Sequence, residues 1–247
     1  MAAQDIASSE PAYEVRPVGA GYRRYALGLL TLIYALGFLD RQVINILAED
    51  IKQELALSDA QLGALTGLAF ALFYTTLGVP IARLAERRNR ALIISGALIL
   101  WSGFTAAGAA AQSFLQLFLA RVGVGVGEAG CNPPAHSLIA DHTPKGGRGL
   151  ALGVYNLGNP IGSLLGLALG GLIADLYGWR TALLVAGLPG LAVALVALAT
   201  LRDPRLPRTA EELRRETPAF GAALRELAGK QMGWMAPAPD LQGPMWL

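Results

Sequence analysis

Residues 114–140 read FLQLFLARVGVGVGEAGCNPPAHSLIA, an apolar run long enough to cross a lipid bilayer. A bilayer span needs about 20 mostly apolar residues. This run nevertheless contains two charged side chains, Arg121 and Glu128. A charge at that depth costs about 3 kcal/mol on insertion scales, and such charges face a bundle interior or a polar pathway. The stretch therefore predicts a membrane helix that carries a function inside the membrane.

Five further apolar segments surround this one, and together they predict an all-α membrane protein. The composition agrees, because the chain is 53% hydrophobic and only 15% charged, whereas soluble domains average about 25% charged residues. The six predicted spans are Tyr25–Ile46, Ala60–Ile81, Ala91–Ala111, Phe114–Ala140, Gly149–Ala174 and Trp179–Leu201.

The spans form one predicted half-domain, residues 23–203, between two polar tails. Residues 1–22 are predicted to be a disordered cytoplasmic tail. Residues 204–247 are predicted to be a second cytoplasmic tail with a short amphipathic helix at about Pro218–Gly229, where apolar side chains share one face.

Basic residues occupy every second loop, which predicts the topology. They are Arg16, Arg23 and Arg24; Arg83, Arg87, Arg88 and Arg90; Lys145 and Arg148; and Arg202, Arg205 and Arg208. Loops rich in Lys and Arg lie on the cytoplasmic side, so both termini are predicted to be cytoplasmic. The expected location is a bacterial inner (plasma) membrane. The net charge of +2 gives no indication of a nucleic-acid partner.

An acid recurs at corresponding positions of the two halves of the span series. Asp40 lies in the first span and Glu128 in the fourth, about 90 residues apart, as expected for three helices followed by three similar helices of opposite orientation. The chain therefore predicts a 3+3 inverted repeat, which is the architecture of one half of many transporters.

Four charged residues are the candidates for proton coupling or substrate contact: Asp40, Arg41, Arg121 and Glu128. A buried carboxyl group can bind a proton, and arginine offers a forked donor for a carboxylate or phosphate. Two structural alternatives remain at this point. Asp40 and Arg41 would only anchor the helix at the outer interface, or Glu128 would form a structural pair with Arg121, two turns away.

Polar residues elsewhere add two weaker predictions. Arg121, Gly125, Glu128 and Asn132 are spaced by four, three and four, so they share one helix face. Side chains expected to make the cavity polar are Tyr34, Tyr74, Asn132, Asn156 and Asn159. A cytoplasmic gate is predicted from Glu86, Arg87, Arg90 and Asp141, in which arginines after the second span pair with the end of a neighbouring helix.

Several other functions lack a sequence signal. His136 and His142 have no metal-ligand partners at suitable spacing, so no metal site is predicted. No phosphate-binding Gly-Lys-Ser/Thr motif occurs, so ATP is not expected to drive the protein. No nucleophile–base pair suggests an enzyme, and no cofactor is predicted. Cys131 is the only cysteine, and a packing role is expected for it.

These residues together resemble the major facilitator superfamily and, within it, the Spinster-type group. The loop Ala82–Arg90 is similar to the superfamily signature Gly-x-x-x-Asp-Arg-x-Gly-Arg, although Ala82, Glu86 and Asn89 replace the first glycine, the aspartate and the second glycine. Phe38–Arg41 and Arg121–Ala129 carry the likeness to the Spinster-type group. The resemblance implies secondary transport by alternating access, lipid-like or amphipathic substrates, and coupling or substrate-contact roles for Asp40, Arg41 and Glu128.

The expected function is therefore a secondary active transporter, coupled to protons, for a small organic or lipid-like amphipathic solute. The family has twelve helices in two halves, whereas this chain is predicted to hold the N-terminal six. Besides membrane lipid and the solute, a homodimer partner or a missing C-terminal half is expected. The alternative is a truncated or non-transporting membrane subunit that needs a partner half.

Overall fold

The computed structural model describes residues 17–205, without the side chains of residues 68–70, 72, 79, 82, 86 and 87. The helices in that part of the chain are α1 (Ala20–Ile46), α2 (Ala48–Glu54), α3 (Asp59–Gly63), α4 (Ala69–Arg87), α5 (Arg90–Gly108), α6 (Phe114–Ala129), α7 (Asn132–His142), α8 (Arg148–Asn156), α9 (Gly158–Tyr177) and α10 (Trp179–Thr200). A π-helical segment, Ala64–Leu68, joins α3 to α4, and a 3-10 turn, Lys145–Gly147, precedes α8.

Most of both predicted tails lies outside the described residues, and so does the amphipathic helix predicted at Pro218–Gly229. The N-terminal boundary differs slightly from the prediction, because α1 begins at Ala20 and includes the last three residues of the predicted tail 1–22.

Five described segments are long and apolar enough to cross a membrane. They correspond to the first, third, fourth, fifth and sixth predicted spans. The second predicted span, Ala60–Ile81, is helical and is formed by α3, the π-helical segment and α4 in succession. Its longer part, α4, continues to Arg87 and therefore ends among charged residues.

Two further predicted spans are divided in the structure. The fourth is composed of α6 and α7, which are separated at Gly130–Cys131, just before Pro133 and Pro134. Proline has no backbone N–H and clashes with the preceding turn, so it interrupts a continuous helix. The fifth span is composed of α8 and α9, which are separated at Leu157. The division of the fourth span lies two residues after Glu128, a residue of the site described below.

The packing of the helices follows the predicted inverted repeat. The closest partner of α1 is α9, and the closest partner of α6, apart from its sequence neighbour α5, is α4. In the repeat, the first span corresponds to the fourth, the second to the fifth and the third to the sixth. Under this correspondence the α1–α9 contact matches the α6–α4 contact, and the α5–α10 contact matches itself. The α1–α10 contact corresponds in the same way to α6–α5. This symmetry places α1 and α6 in equivalent positions.

Glycines at every fourth position let α9 lie directly against the backbone of α1. Gly158, Gly162, Gly166 and Gly170 are the buried residues of α9. A Cβ atom at Gly166 would lie 2.6 Å from the Leu39 carbonyl oxygen, and one at Gly162 would overlap the Ala35 carbonyl group. In a bilayer, small residues at helix interfaces replace the hydrophobic effect as the basis of packing.

We therefore expect Gly162→Ala to lower the stability of the folded chain by about 1–3 kcal/mol, the usual cost of overpacking. The measurement is thermal unfolding in detergent. Gly153→Ala is the matched control, because nothing lies within 4 Å of a Cβ at that helical position. Equal melting temperatures for the two variants would contradict the proposed close contact between α1 and α9.

Candidate functional site

Two ion pairs connect α1 to α6 inside the bundle. The first joins Asp40 of α1 to Arg121 of α6, with Oδ2 and Nη1 separated by 3.0 Å. The Thr105 hydroxyl of α5 donates to the other Asp40 oxygen at 2.6 Å. Asp40 and Arg121 are only 2% and 3% exposed. Both carboxylate oxygens of Asp40 therefore have partners, as a buried charge requires.

The second pair runs in the opposite sense, from the base of α1 to the acid of α6. Arg41 donates to Glu128 Oε2 from Nε at 2.7 Å and from Nη2 at 2.5 Å. Glu128 is 4% exposed, whereas a quarter of the Arg41 side chain remains accessible. The other Glu128 oxygen, Oε1, is buried and has no hydrogen-bond partner among the described residues. This oxygen is an uncompensated acceptor, which natural structures rarely retain without a reason.

The pairing differs from the structural alternative considered for the sequence, in which Glu128 would bind Arg121. Arg121 instead binds Asp40, and Glu128 binds Arg41. Neighbouring residues on a helix point about 100° apart, so Asp40 and Arg41 point in different directions. Their partners on α6 are about two helical turns apart. Three of the four residues predicted to share one helix face, Arg121, Gly125 and Glu128, are buried on α6, whereas Asn132 begins α7.

A small cleft, hereafter the pocket, opens beside the second ion pair. Its lining includes Arg41, Glu128 and the aromatic side chains Tyr34, Phe38 and Trp101. The Arg41 guanidinium lies 4.9 Å from the centre of the Phe38 ring, which is the geometry of a cation–π contact. The pocket thus combines a charged pair with apolar walls, the usual composition of a small-molecule site.

The predicted polar residues of the cavity divide into two groups. Tyr34 and Asn132 line the pocket, and Asn132 donates to the Tyr74 hydroxyl at 2.9 Å. Asn156 and Asn159 are exposed on α8 and α9 and do not line this pocket, so a cavity role for them stays a prediction.

A second charged cluster lies at the end of the bundle predicted to be cytoplasmic. Arg90, at the start of α5, is fully buried and donates to Asp141 at 2.7 Å. The Arg90 Nε and backbone N–H donate to Asp203 Oδ2 at 2.9 and 2.8 Å, and Nη2 pairs with the other Asp203 oxygen. Arg205 also donates to Asp141, at 2.8 Å, and both arginines bind the Ser137 hydroxyl. The cluster connects α5, α7 and the segment after α10.

The predicted pairing of an arginine after the second span with Asp141 is thus present, whereas a gating role for it stays a prediction. The side chains of Glu86 and Arg87 lie outside the described residues. The sequence analysis missed Asp203, Arg205 and Ser137 as members of the cluster. Burial alone would raise the pKa of Asp203, but hydrogen bonds and the charge of Arg90 outweigh it and hold the pKa below its usual value.

The sequence analysis also missed Thr105 and Tyr155. Tyr155 is fully buried and donates to Asn132 Oδ1 at 2.7 Å. The signal for both residues was a hydroxyl group within an apolar span, which is a weak signal because such groups also serve as contacts between helices.

The comparison with protein families decides the identity of the fold. The sequence model of the Major Facilitator Superfamily matches residues 30–239. The chain belongs to the major facilitator superfamily. The predicted all-α fold, one half of a major facilitator fold, is thereby confirmed.

Two curated relatives of this major facilitator chain refine the comparison. It is 36% identical over 209 residues to an MFS-type efflux pump of Mycolicibacterium smegmatis, a match that covers 85% of this chain and 46% of the relative. It is 31% identical over 231 residues to protein spinster homolog 1 of Bos taurus, covering 90% of this chain and 43% of the relative. The chain spans about half the length of the curated relatives it matches.

Solved structures agree with the Spinster-type resemblance. A bacterial homolog of the human lysosomal transporter Spinster, in an inward-facing and occupied conformation, aligns with a TM-score of 0.74 at 42% identity. That alignment covers 76% of this chain and 46% of the solved chain. The predicted resemblance to the Spinster-type group is thereby confirmed.

Proposed function

We propose that this chain forms one half of a secondary active transporter that couples proton movement to a small organic or lipid-like amphipathic solute. The observation that carries the proposal is the Glu128 carboxylate. One of its oxygens binds Arg41, and the other is buried without a partner among the described residues. A carboxyl group in this position can accept a proton on Oε1 without first breaking a hydrogen bond.

Protonation of Glu128 has a direct consequence for Arg41. Neutralising the carboxylate removes the charge that holds the guanidinium, and arginine stays charged in proteins. Because Arg41 is partly accessible from the pocket, it is available to an acidic group of the solute. Proton binding and solute binding then bias the same pair of side chains, which is the linkage that coupled transport needs.

The walls of the pocket support an amphipathic solute. Aromatic side chains surround the Arg41–Glu128 pair, so a molecule with a polar head and an apolar body finds a partner for each part.

The half-length match leads to the second part of the proposal. We infer that a second half completes the site, either a C-terminal half such as the longer relatives have room for or a second copy of this chain. Leu164, Leu172 and Leu176 of α9 are exposed, so this helix offers an apolar face to lipid or to such a partner. In the proposed orientation both termini face the cytoplasm of a bacterium, in accord with the arginine-rich loops.

The experiment is uptake into proteoliposomes that contain the 247-residue chain, with a fluorescent lysophospholipid as the solute and an imposed pH gradient. Faster uptake with the gradient than without it, together with alkalinisation of the acidic side, is the expected result. Absence of both signals at every protein density would overturn transport by this chain alone. Recovery only after a second half is supplied would favour the alternative, a subunit that does not transport by itself.

A further inference from the structure

The interruption between α6 and α7 lies directly beside the proposed proton acceptor. Gly130 and Cys131 donate to the carbonyl groups of Gly127 and Glu128, three residues back rather than four. Pro133 and Pro134 follow and have no N–H group to donate. Few main-chain hydrogen bonds therefore join the two helices, and such interruptions are where helices bend.

Side chains, rather than the main chain, fix the start of α7. Asn132, its first residue, accepts from the Tyr155 hydroxyl at 2.7 Å and donates to the Tyr74 hydroxyl at 2.9 Å. Tyr155 is a firm anchor, because it is fully buried and its ring stacks on Tyr34 with a centroid separation of 4.5 Å. One amide group thus connects α7 to α8 on one side and to α4 on the other.

The Tyr74 end of this connection reaches the ion pair. Its ring centre lies 5.1 Å from the Arg41 guanidinium, within the range of a cation–π contact. The Tyr74 side chain therefore contacts Arg41 through its ring and Asn132 through its hydroxyl oxygen. An Arg41 side chain that is held less strongly by Glu128 can compete with Asn132 for that oxygen.

The opposite end of α7 is held in the charged cluster. Asp141 binds both Arg90 and Arg205 there. The helix of 11 residues thus has one end at the ion pair and the other end at the cluster predicted to act as a gate.

We propose that Asn132 is a positioning residue that transmits the charge state of the Arg41–Glu128 pair to α7, which pivots as a unit at Gly130–Cys131. When Glu128 is neutral, Arg41 turns to the Tyr74 hydroxyl and displaces Asn132 from it. The start of α7 is then held by Tyr155 alone, and Cys131 becomes more accessible from the pocket. This inference rests on the proposed role of Glu128 as the proton acceptor.

The chain contains the probe for a test, because Cys131 is its only cysteine and lines the pocket. The rate of alkylation of Cys131 by N-ethylmaleimide is measured on the detergent-solubilised 247-residue chain at one fixed pH. Glu128→Gln represents the neutral state. We expect Glu128→Gln and Asn132→Ala each to raise the rate about fivefold, the effect of one hydrogen bond. The double variant should react no faster than the faster single variant.

The double variant distinguishes this mechanism from a direct effect of the Glu128 charge on the neighbouring thiol. A direct effect of Glu128→Gln on the alkylation rate would persist in full when Asn132 is already alanine, and that result would overturn the proposal. An unchanged alkylation rate in Asn132→Ala would also overturn it. Tyr74→Phe removes only a hydroxyl and should reproduce Asn132→Ala without a loss of volume. Asn45→Ala, at an exposed position of α1, is the control and should react like the unaltered chain.

The alkylation rate does not depend on transport, so the two proposals fail separately. Uptake that a pH gradient still accelerates in Glu128→Gln would contradict the proposed function. A Glu128→Gln effect that is independent of Asn132 would contradict the positioning role.

Discussion

Glu128→Gln is expected to abolish the proton-driven part of solute uptake while leaving membrane insertion and folding intact. Glutamine keeps the shape of the side chain and one oxygen that can accept from Arg41, but it cannot gain or lose a proton at physiological pH. The measurement is uptake into proteoliposomes with and without a pH gradient. We expect the difference between the two conditions to disappear.

Two further variants define what this result means. Glu49→Gln changes an exposed acid of α2 that belongs to neither ion pair, and uptake should be unaffected. Asp40→Asn should also abolish coupled uptake, but it leaves the buried Arg121 without its counter-charge, which costs about 3–5 kcal/mol of stability. A pH gradient that still accelerates uptake in well-folded Glu128→Gln would exclude Glu128 as the proton acceptor.

The candidate site shows how far the sequence leads. The four charged residues were predicted because each interrupts an apolar span, and insertion into lipid penalises every such interruption. The face shared by Arg121 and Glu128 followed from helical periodicity within one segment. Their partners did not follow, because pairing between helices depends on the relative depth and rotation of α1 and α6, and periodicity within one helix determines neither.

The interruption of the fourth span has a signal in the sequence, the Pro133–Pro134 pair, but the new helix that follows it was not predicted. The sequence analysis treated residues 114–140 as one span, whereas α7 begins a new helix at Asn132. The role of Asn132 as a bridge became visible only with Tyr74 and Tyr155 in place, which are 58 and 23 residues away in the chain.

The charged cluster was predicted in part for a related reason. Arginines after the second span were expected to pair with Asp141, and Arg90 does so. Asp203 and Arg205 were overlooked because the segment after the sixth span looked like the start of a polar tail. The burial of Arg90 explains the role of Asp203, since a fully buried guanidinium has five N–H donors that need acceptors, and Asp203 accepts from two of its nitrogens.

Arg90→Met is expected to lower the stability of the chain by about 3–5 kcal/mol, because it leaves Asp203 and Asp141 in the bundle with too few positive partners. Methionine retains most of the apolar length of the side chain, so the loss reports the charge and the hydrogen bonds rather than a cavity. The measurement is thermal or denaturant unfolding in detergent. Arg88→Met, at an exposed position two residues earlier, should change stability by less than about 0.5 kcal/mol.

A second substitution separates the charge imbalance from a loss of packing. Adding Asp203→Asn to Arg90→Met removes one of the stranded carboxylates, and buried ion pairs replaced as a pair are often nearly neutral. The double variant should therefore be more stable than Arg90→Met alone. If the stability losses of the two substitutions simply add, Arg90 and Asp203 contribute to stability independently. That result would conflict with the bidentate contact between them, because residues of one hydrogen-bonded network show a measurable coupling energy.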